Sequence, residues 1–175
     1  MYKYIENHEH YIEIIEGIIS SSKIRLDIAT ATLKALKIIH GRKSESIVRF
    51  FKRRAEDGLK IRILHSGVPS SWFLKQAREN GLGNLENFIM RRCVRVHQKT
   101  ILGDSRILYI GSANLTGAGV GAKSENRRNF EAGILTDNHD IIDRVDSLFE
   151  LIWCGDMCGK CGRKQSCPIP LEQFR

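Results

Sequence analysis

Between Val94 and Gly119 the chain reads VRVHQKTILGDSRILYIGSANLTGAG, and six of its residues stand at spacings suited to phosphoryl chemistry. They are His97-x-Lys99, then after four residues Asp104, then after six more Gly111-Ser112-x-Asn114. Residues two apart on a strand share a face. A strand over Val94–Leu102 would therefore set Arg95, His97 and Lys99 on one side and Val94 and Val96 on the other, with His97 and Lys99 roughly 7 Å apart. A neutral imidazole is nucleophilic near pH 7, and its protonated form is an acid at the same pH. An ammonium beside it can hold an anionic phosphoryl oxygen. An isolated histidine would be an ordinary satisfied side chain, which is how His8, His10, His40, His65 and His139 are read.

At every defined position the stretch matches HxKx4Dx6GSxN, the signature of the phospholipase D superfamily, which this chain resembles. The likeness extends more weakly to about residue 152 and includes the acidic residue of NFEAG, Glu131. It implies metal-independent phosphodiester transfer. His97 would attack phosphorus to give a phosphohistidine, a second histidine would protonate the leaving oxygen, and water activated by that second histidine would release the product. Lys99 and Asn114 would hold the nonbridging oxygens. Ser112 and Glu131 would support them, Glu131 by accepting a hydrogen bond from a histidine ring nitrogen. Asp104 belongs to the same motif as a turn and hydrogen-bonding residue. The chain has one His-x-Lys where the chemistry needs a pair of histidines. The resemblance to bacterial single-motif endonucleases thus implies a homodimer with one His97 from each protomer in a shared site.

The elements that must position these groups alternate between strand and helix. A helix is expected over Tyr4–Ser20, where Tyr11, Ile12, Ile15, Ile18 and Ile19 recur at helical steps between glutamates. A strand at Ile24–Ile28 runs into Ala29-Thr30-Ala31-Thr32. A helix from Ser44 buries Ile47, Val48, Phe51 and Ala55 and stops at Gly58. A strand over Leu59–Ile63 leads to a third helix behind Pro69, capped by Ser70 or Ser71 and ended at Gly81. Val94–Leu102 and Ile107–Ile110 form a hairpin about Gly103-Asp104-Ser105. Asn129–Thr136 is a further strand, and Asp137 or Asn138 caps a last helix with Ile141, Val145, Leu148, Phe149 and Ile152 on its apolar stripe. The intervening GAGVGAKSENRR reads as a mobile loop beside the site. The fold class is α/β, a mixed β-sheet flanked by helices, occupying residues 1–152 and followed by a cysteine-rich tail over residues 153–175.

The 175 residues carry 28 Lys and Arg against 20 Asp and Glu, a net charge of +8 that favours a polyanionic partner. Nucleic acid is the first expectation. Arg91, Arg92 and Arg95 before the motif, with Lys123, Arg127 and Arg128 after it, would supply phosphate contacts. No stretch is long and apolar enough to span a bilayer, and the glutamate-studded N-terminus is unlike a secretory signal, so a cytoplasmic protein without a membrane anchor is expected. The most economical function is an endonuclease cleaving DNA or RNA. A phospholipase D or phosphatidyl transferase, and a non-catalytic nucleic-acid-binding module, are the alternatives.

In the tail, WCGDMCGKCGRKQSCPIP spaces Cys154, Cys158, Cys161 and Cys167 as C-x3-C-x2-C-x5-C. Four thiols within so few residues read as a structural metal site. Tetrahedral zinc and an iron–sulfur cluster both accept four cysteines, zinc being the commoner structural choice. The chemistry at His97 itself requires no metal cofactor. Cys93 reads as an ordinary buried cysteine.

Overall fold

The computed structural model describes residues 1–40 and 43–174, with the side chain of His40 outside the described part. Ten strands and three α-helices follow in chain order among the described residues: β1 Tyr2–Glu6, β2 Arg25–Thr30, β3 Lys37–His40, β4 Lys43–Ser46, α1 Ile47–Glu56, β5 Lys60–His65, α2 Ser71–Glu79, β6 Phe88–Arg92, β7 Thr100–Gly103, β8 Ile107–Gly111, β9 Ala132–Thr136, α3 His139–Trp153 and β10 Glu172–Gln173. Eight of the strands form one mixed sheet in the order β1-β9-β8-β7-β2-β5-β6-β10, and β3-β4 pair as a separate hairpin. β2, β5 and β6 run parallel, while β2-β7, β7-β8, β8-β9 and β1-β9 are antiparallel.

Alternation along the strands divides the sheet between two cores. Ile28, Ile63, Ile101, Tyr109 and Leu135 join Ile14, Ile18, Phe51 and Phe73 beneath α1, α2 and a helical turn at Tyr11–Ile19. On the other face Ala29 and Leu64 pack on Phe149 and Trp153 of α3, and Leu102 and Leu108 pack on its Ile142. Helices on both faces of a mixed sheet are the α/β architecture expected.

The caps of α2 and α3 are the expected ones, whereas α1, expected from Ser44, begins at Ile47 behind Ser46 because Lys43–Ser46 pairs as strand β4. Ser46 Oγ accepts the Arg49 amide, Ser70 Oγ the Phe73 amide and Asn138 Oδ1 the Ile141 amide. Gly58 ends α1 at φ +96°, a conformation glycine adopts without steric cost.

Several expectations are corrected. The expected helix over Tyr4–Ser20 is two elements: Tyr2–Glu6 is a strand paired with β9, the chain turns at Asn7 (φ +49°), and only Tyr11–Ile19 is helical. That helix is π-wound, with the Ser20 amide reaching the Ile15 carbonyl at 2.9 Å, so Ile14 is buried and Ile12 exposed. The strand expected from Val94 begins only at Thr100. Cys93–Val96 is a turn closed by the Val96 amide on the Cys93 carbonyl (3.0 Å), because Val96 is drawn under Phe149 and Trp153. His97 and Lys99 are therefore presented by a loop, and the alternation argument for their shared face does not apply. β6, taken from FIMRR, was not anticipated. GAGVGA is packed rather than loose: Val120 is fully buried and the Gly121 carbonyl meets His8 Nδ1.

Candidate active site

One edge of the sheet gathers the motif residues other than Asp104. Parallel register aligns Thr30 with His65 and His65 with Arg92, while Ala29 pairs Thr100, Thr100 pairs Ile110, and Gly111 pairs Gly133. The carboxyl ends of β2, β5, β6 and β8 and the amino ends of β7 and β9 thus lie in one row, the edge where open α/β sheets bind ligands. His97 and Lys99 sit just before β7, Ser112 and Asn114 just after β8, and Glu131 just before β9.

His97 is exposed, and the Lys99 ammonium donates to the His97 carbonyl (2.7 Å) while standing 3.2 Å from the ring Nδ1. The Gly111 amide donates to the Lys99 carbonyl (3.1 Å), which joins the two halves of the motif. Asn114 Oδ1 accepts the Thr32 amide (3.0 Å) and lies 3.2 Å from Thr30 Oγ1. With its oxygen held there, its NH2 group is left as a donor. Thr30 Oγ1 also accepts the Leu115 amide (3.1 Å), so the residue following Asn114 is fixed to the same strand end. Ser112 Oγ donates to Glu131, accepts the Ala132 amide (3.1 Å), and the other Glu131 oxygen accepts from Asn129 Nδ2 (3.0 Å).

Below this layer lies a relay that sequence reasoning missed. The Ala113 amide donates to Tyr109 Oη (3.1 Å), and Tyr109 Oη is 3.1 Å from His10 Nε2. His10 Nδ1 faces the Asn7 carbonyl at 3.1 Å, so Nδ1 carries the proton and Nε2 accepts from the tyrosine. Burial pushes His10 below its ordinary value and pushes the Tyr109 phenol up to about 12, so both remain neutral. The phenol leaves no room for side chains above it. A Cβ on Gly111 would lie 2.3 Å from Tyr109 Oη, and one on Gly133 would lie 2.3 Å from Tyr109 Cε2. The motif glycine is thus required by close approach. The available signal was Tyr109 two residues before that glycine.

Asp104 is at the other end of β7, about 13 Å along the strand from Thr100. Asp104 and Ser105 form the β7-β8 turn at φ +51° and +55°, and the Asp104 carboxylate accepts the amides of Lys23, Ile24 and Arg25 at 2.8–2.9 Å. Burial opposes its charge, yet these amides hold its carboxyl below the usual range. It closes the turn and ties β7 to the start of β2, remote from the reacting groups.

The basic residues divide. Arg91 donates to the Trp153 carbonyl (2.6 Å) and lies over the Trp153 ring, and Arg92 donates to the Ser66 carbonyl (3.2 Å) beside Glu172. Both are engaged in packing. Arg95, Lys123 and Arg127 are exposed, and Arg128 is half-buried. His65, its Nδ1 on the Gly67 carbonyl (2.9 Å), is buried. Among the described residues no three His, Cys, Asp or Glu side chains are gathered closely enough to hold a metal ion. Cys154, the C-cap of α3, is exposed, while Cys158, Cys161 and Cys167 are partly covered. No described helix is long and apolar enough to cross a membrane.

The family model described as cardiolipin synthase, PLD-like domain, matches residues 15–153. The chain belongs to this family. No curated protein matches it. Among solved structures it is similar to Nuc, a phospholipase D family member from Salmonella typhimurium (13% identity, 100% of this chain and 98% of that one, TM-score 0.63). It is also similar to NucT from Helicobacter pylori (19% identity, 86% and 94%, TM-score 0.59). Phosphatidylserine synthase of Haemophilus influenzae shares the fold over 36% of its own length (14% identity, 86% of this chain, TM-score 0.60). At these identities the likeness is one of fold.

Proposed function

We propose that this PLD-like protein is a metal-independent nuclease whose active site is completed by a second copy of the chain. The observation that carries the proposal is one complete set of His97, Lys99, Ser112 and Asn114 at the edge of an uncovered apolar row. Tyr4, Ile134 and Ile110 are in cross-strand register and all exposed, on the sheet face that α3 covers only farther along. The row runs into Gly111, and Phe130, 97% exposed, stands beside Glu131. Apolar surface adjoining half a site suits a two-fold contact that brings a second His97 opposite the first.

In the first step a neutral His97 ring nitrogen forms a bond to phosphorus as the P–O bond to the leaving group breaks. The leaving oxygen takes a proton from the second copy's protonated His97. That imidazole, now neutral, removes a proton from water; the water oxygen bonds to phosphorus and the P–N bond breaks. Lys99 and the Asn114 NH2 group hold the nonbridging oxygens as charge develops. Glu131, anchored by Ser112 and Asn129, retains lone pairs for a histidine N–H and would fix its tautomer. Exposed Arg95, Lys123 and Arg127 favour a phosphate backbone over a neutral substrate.

The test is cleavage of plasmid, single-stranded DNA, RNA and phosphatidylcholine vesicles with chelator present. Nucleic-acid cleavage that survives chelation, vanishes in His97→Ala and falls about 10²–10³-fold in Asn114→Ala is expected. Lipid turnover without nucleic-acid cleavage would assign the site to phosphatidyl transfer. Binding without cleavage would assign the chain to a non-catalytic module.

A further inference from the structure

The C-terminal tail and the turn leading to His97 meet at a cavity of about 200 Å³, and four of the five cysteines line it: Cys93, Cys158, Cys161 and Cys167. All four are free and half-buried, whereas Cys154 is exposed and does not line it. Three of them, Cys93, Cys158 and Cys161, also line the adjoining cavity against Leu148 and Ile152 of α3. The tail reaches the cavity through consecutive tight turns. The Cys158 amide donates to the Gly155 carbonyl (2.8 Å) and the Cys161 amide to the Cys158 carbonyl (3.1 Å), with Gly159 and Gly162 in open space after each cysteine. One cation faces a sulfur: Arg95 Nη1 is 3.8 Å from Cys161 Sγ.

We propose that Cys93, Cys158, Cys161 and Cys167 form a four-thiolate metal site, with Cys93 in place of Cys154 as the fourth ligand. The sulfurs frame the cavity without converging, so loading draws them inward, and each thiol releases its proton to solvent as it ligates. Zinc and an iron–sulfur cluster share this donor chemistry. Either would clamp the tail onto the Cys93–Val96 turn that ends one residue before His97, fixing the backbone that presents the nucleophile.

The full-length apoprotein is titrated with Co²⁺ alone, reading the sulfur-to-cobalt charge-transfer band, whose intensity grows with the number of thiolates. Wild type and Cys154→Ser are expected to give equal four-thiolate bands, and Cys93→Ser a band smaller by about a quarter, or none. Thiol alkylation read by mass spectrometry guards against a misfolded variant, because it uses unsubstituted protein: metal should slow labelling of Cys93 many-fold and leave Cys154 labelled. Metal analysis of aerobically purified protein, and anaerobic reconstitution with iron and sulfide, separate zinc from a brown cluster. The proposal is overturned if Cys154→Ser loses the band while Cys93→Ser keeps it. It is equally overturned if Cys93 labels at the same rate with and without metal, or if neither cobalt nor iron and sulfide load the wild-type chain.

Discussion

Asp104 and Asn114 belong to one sequence motif yet serve opposite ends of a strand pair. Asn114 turns its amide oxygen onto Thr30 and Thr32 and so presents its NH2 group at the site edge. Asp104 spends its carboxylate on three consecutive amides of the segment entering β2. Asp104→Ala should therefore lower stability by about 1–3 kcal/mol, because it orphans amides that a charged acceptor satisfies. Turnover per folded molecule should be unchanged, whereas Asn114→Ala, which frees one backbone amide, should cost about 1 kcal/mol and lose turnover. Urea unfolding beside initial rates measures both; a D104A protein of full stability, or one that is folded and inactive, would refute this division. Tyr109 belongs to this scale too. Its hydroxyl ties the Ala113 amide to His10, which explains why glycine is needed at 111 and 133.

At the scale of elements, α3 is fastened to the sheet by an ion cluster as well as by apolar packing. Asp27 of β2, 2% exposed, receives Arg62 of β5 through two hydrogen bonds (2.6 and 2.9 Å) and Arg25 at 2.9 Å. Arg62 continues to Glu150 of α3 (2.6 Å) and lies over the Phe149 and Trp153 rings. Removing one partner leaves the others charged and poorly solvated, so Asp27→Ala should cost about 3 kcal/mol, seen as a lower urea midpoint with the slope retained. The π-wound turn and β5 add a dependence on pH. Burial depresses both His10 and His65 below their ordinary value of 6.5. The unfolded chain protonates near that value while the native state resists, so the unfolded state binds more protons as pH falls. Stability should be full above about pH 6.5 and decline below it until the native values are reached. Urea midpoints between about pH 8 and about pH 5.5 should show this decline, and His10→Asn should flatten it. An acid-insensitive midpoint would contradict the depressed values.

For the whole molecule the decisive matter is whether the proposed site is shared between two copies. If two copies share one reaction centre, equal amounts of wild type and His97→Ala, allowed to exchange, should retain about a quarter of the activity of wild type at the same total concentration. Independent sites would retain about half. Glutamate at Tyr4 and Ile134 together should yield a folded monomer in sedimentation with little activity, since both side chains are exposed and in register. Retention of the dimer in that variant would move the contact elsewhere.

The motif spacing, the alternation of strand and helix, the N-caps of α2 and α3 and the β7-β8 turn were legible in the sequence, because each depends on local periodicity, capping chemistry or a φ > 0 turn. β1 was hidden inside a helical pattern, since Tyr2–Glu6 is a strand only through its pairing with β9 more than a hundred residues away. His97 and Lys99 were expected on a strand, but burial of Val96 under α3 bends that segment into a loop. The Tyr109–His10 relay and the company of Cys93 with the tail cysteines likewise join residues far apart in the chain. Sequence alone determined which groups could do phosphoryl chemistry, because residue type and spacing are local properties. Tertiary structure decided which edge they share, what holds them and which thiols line one cavity, because those depend on contacts that exist only once the sheet has closed.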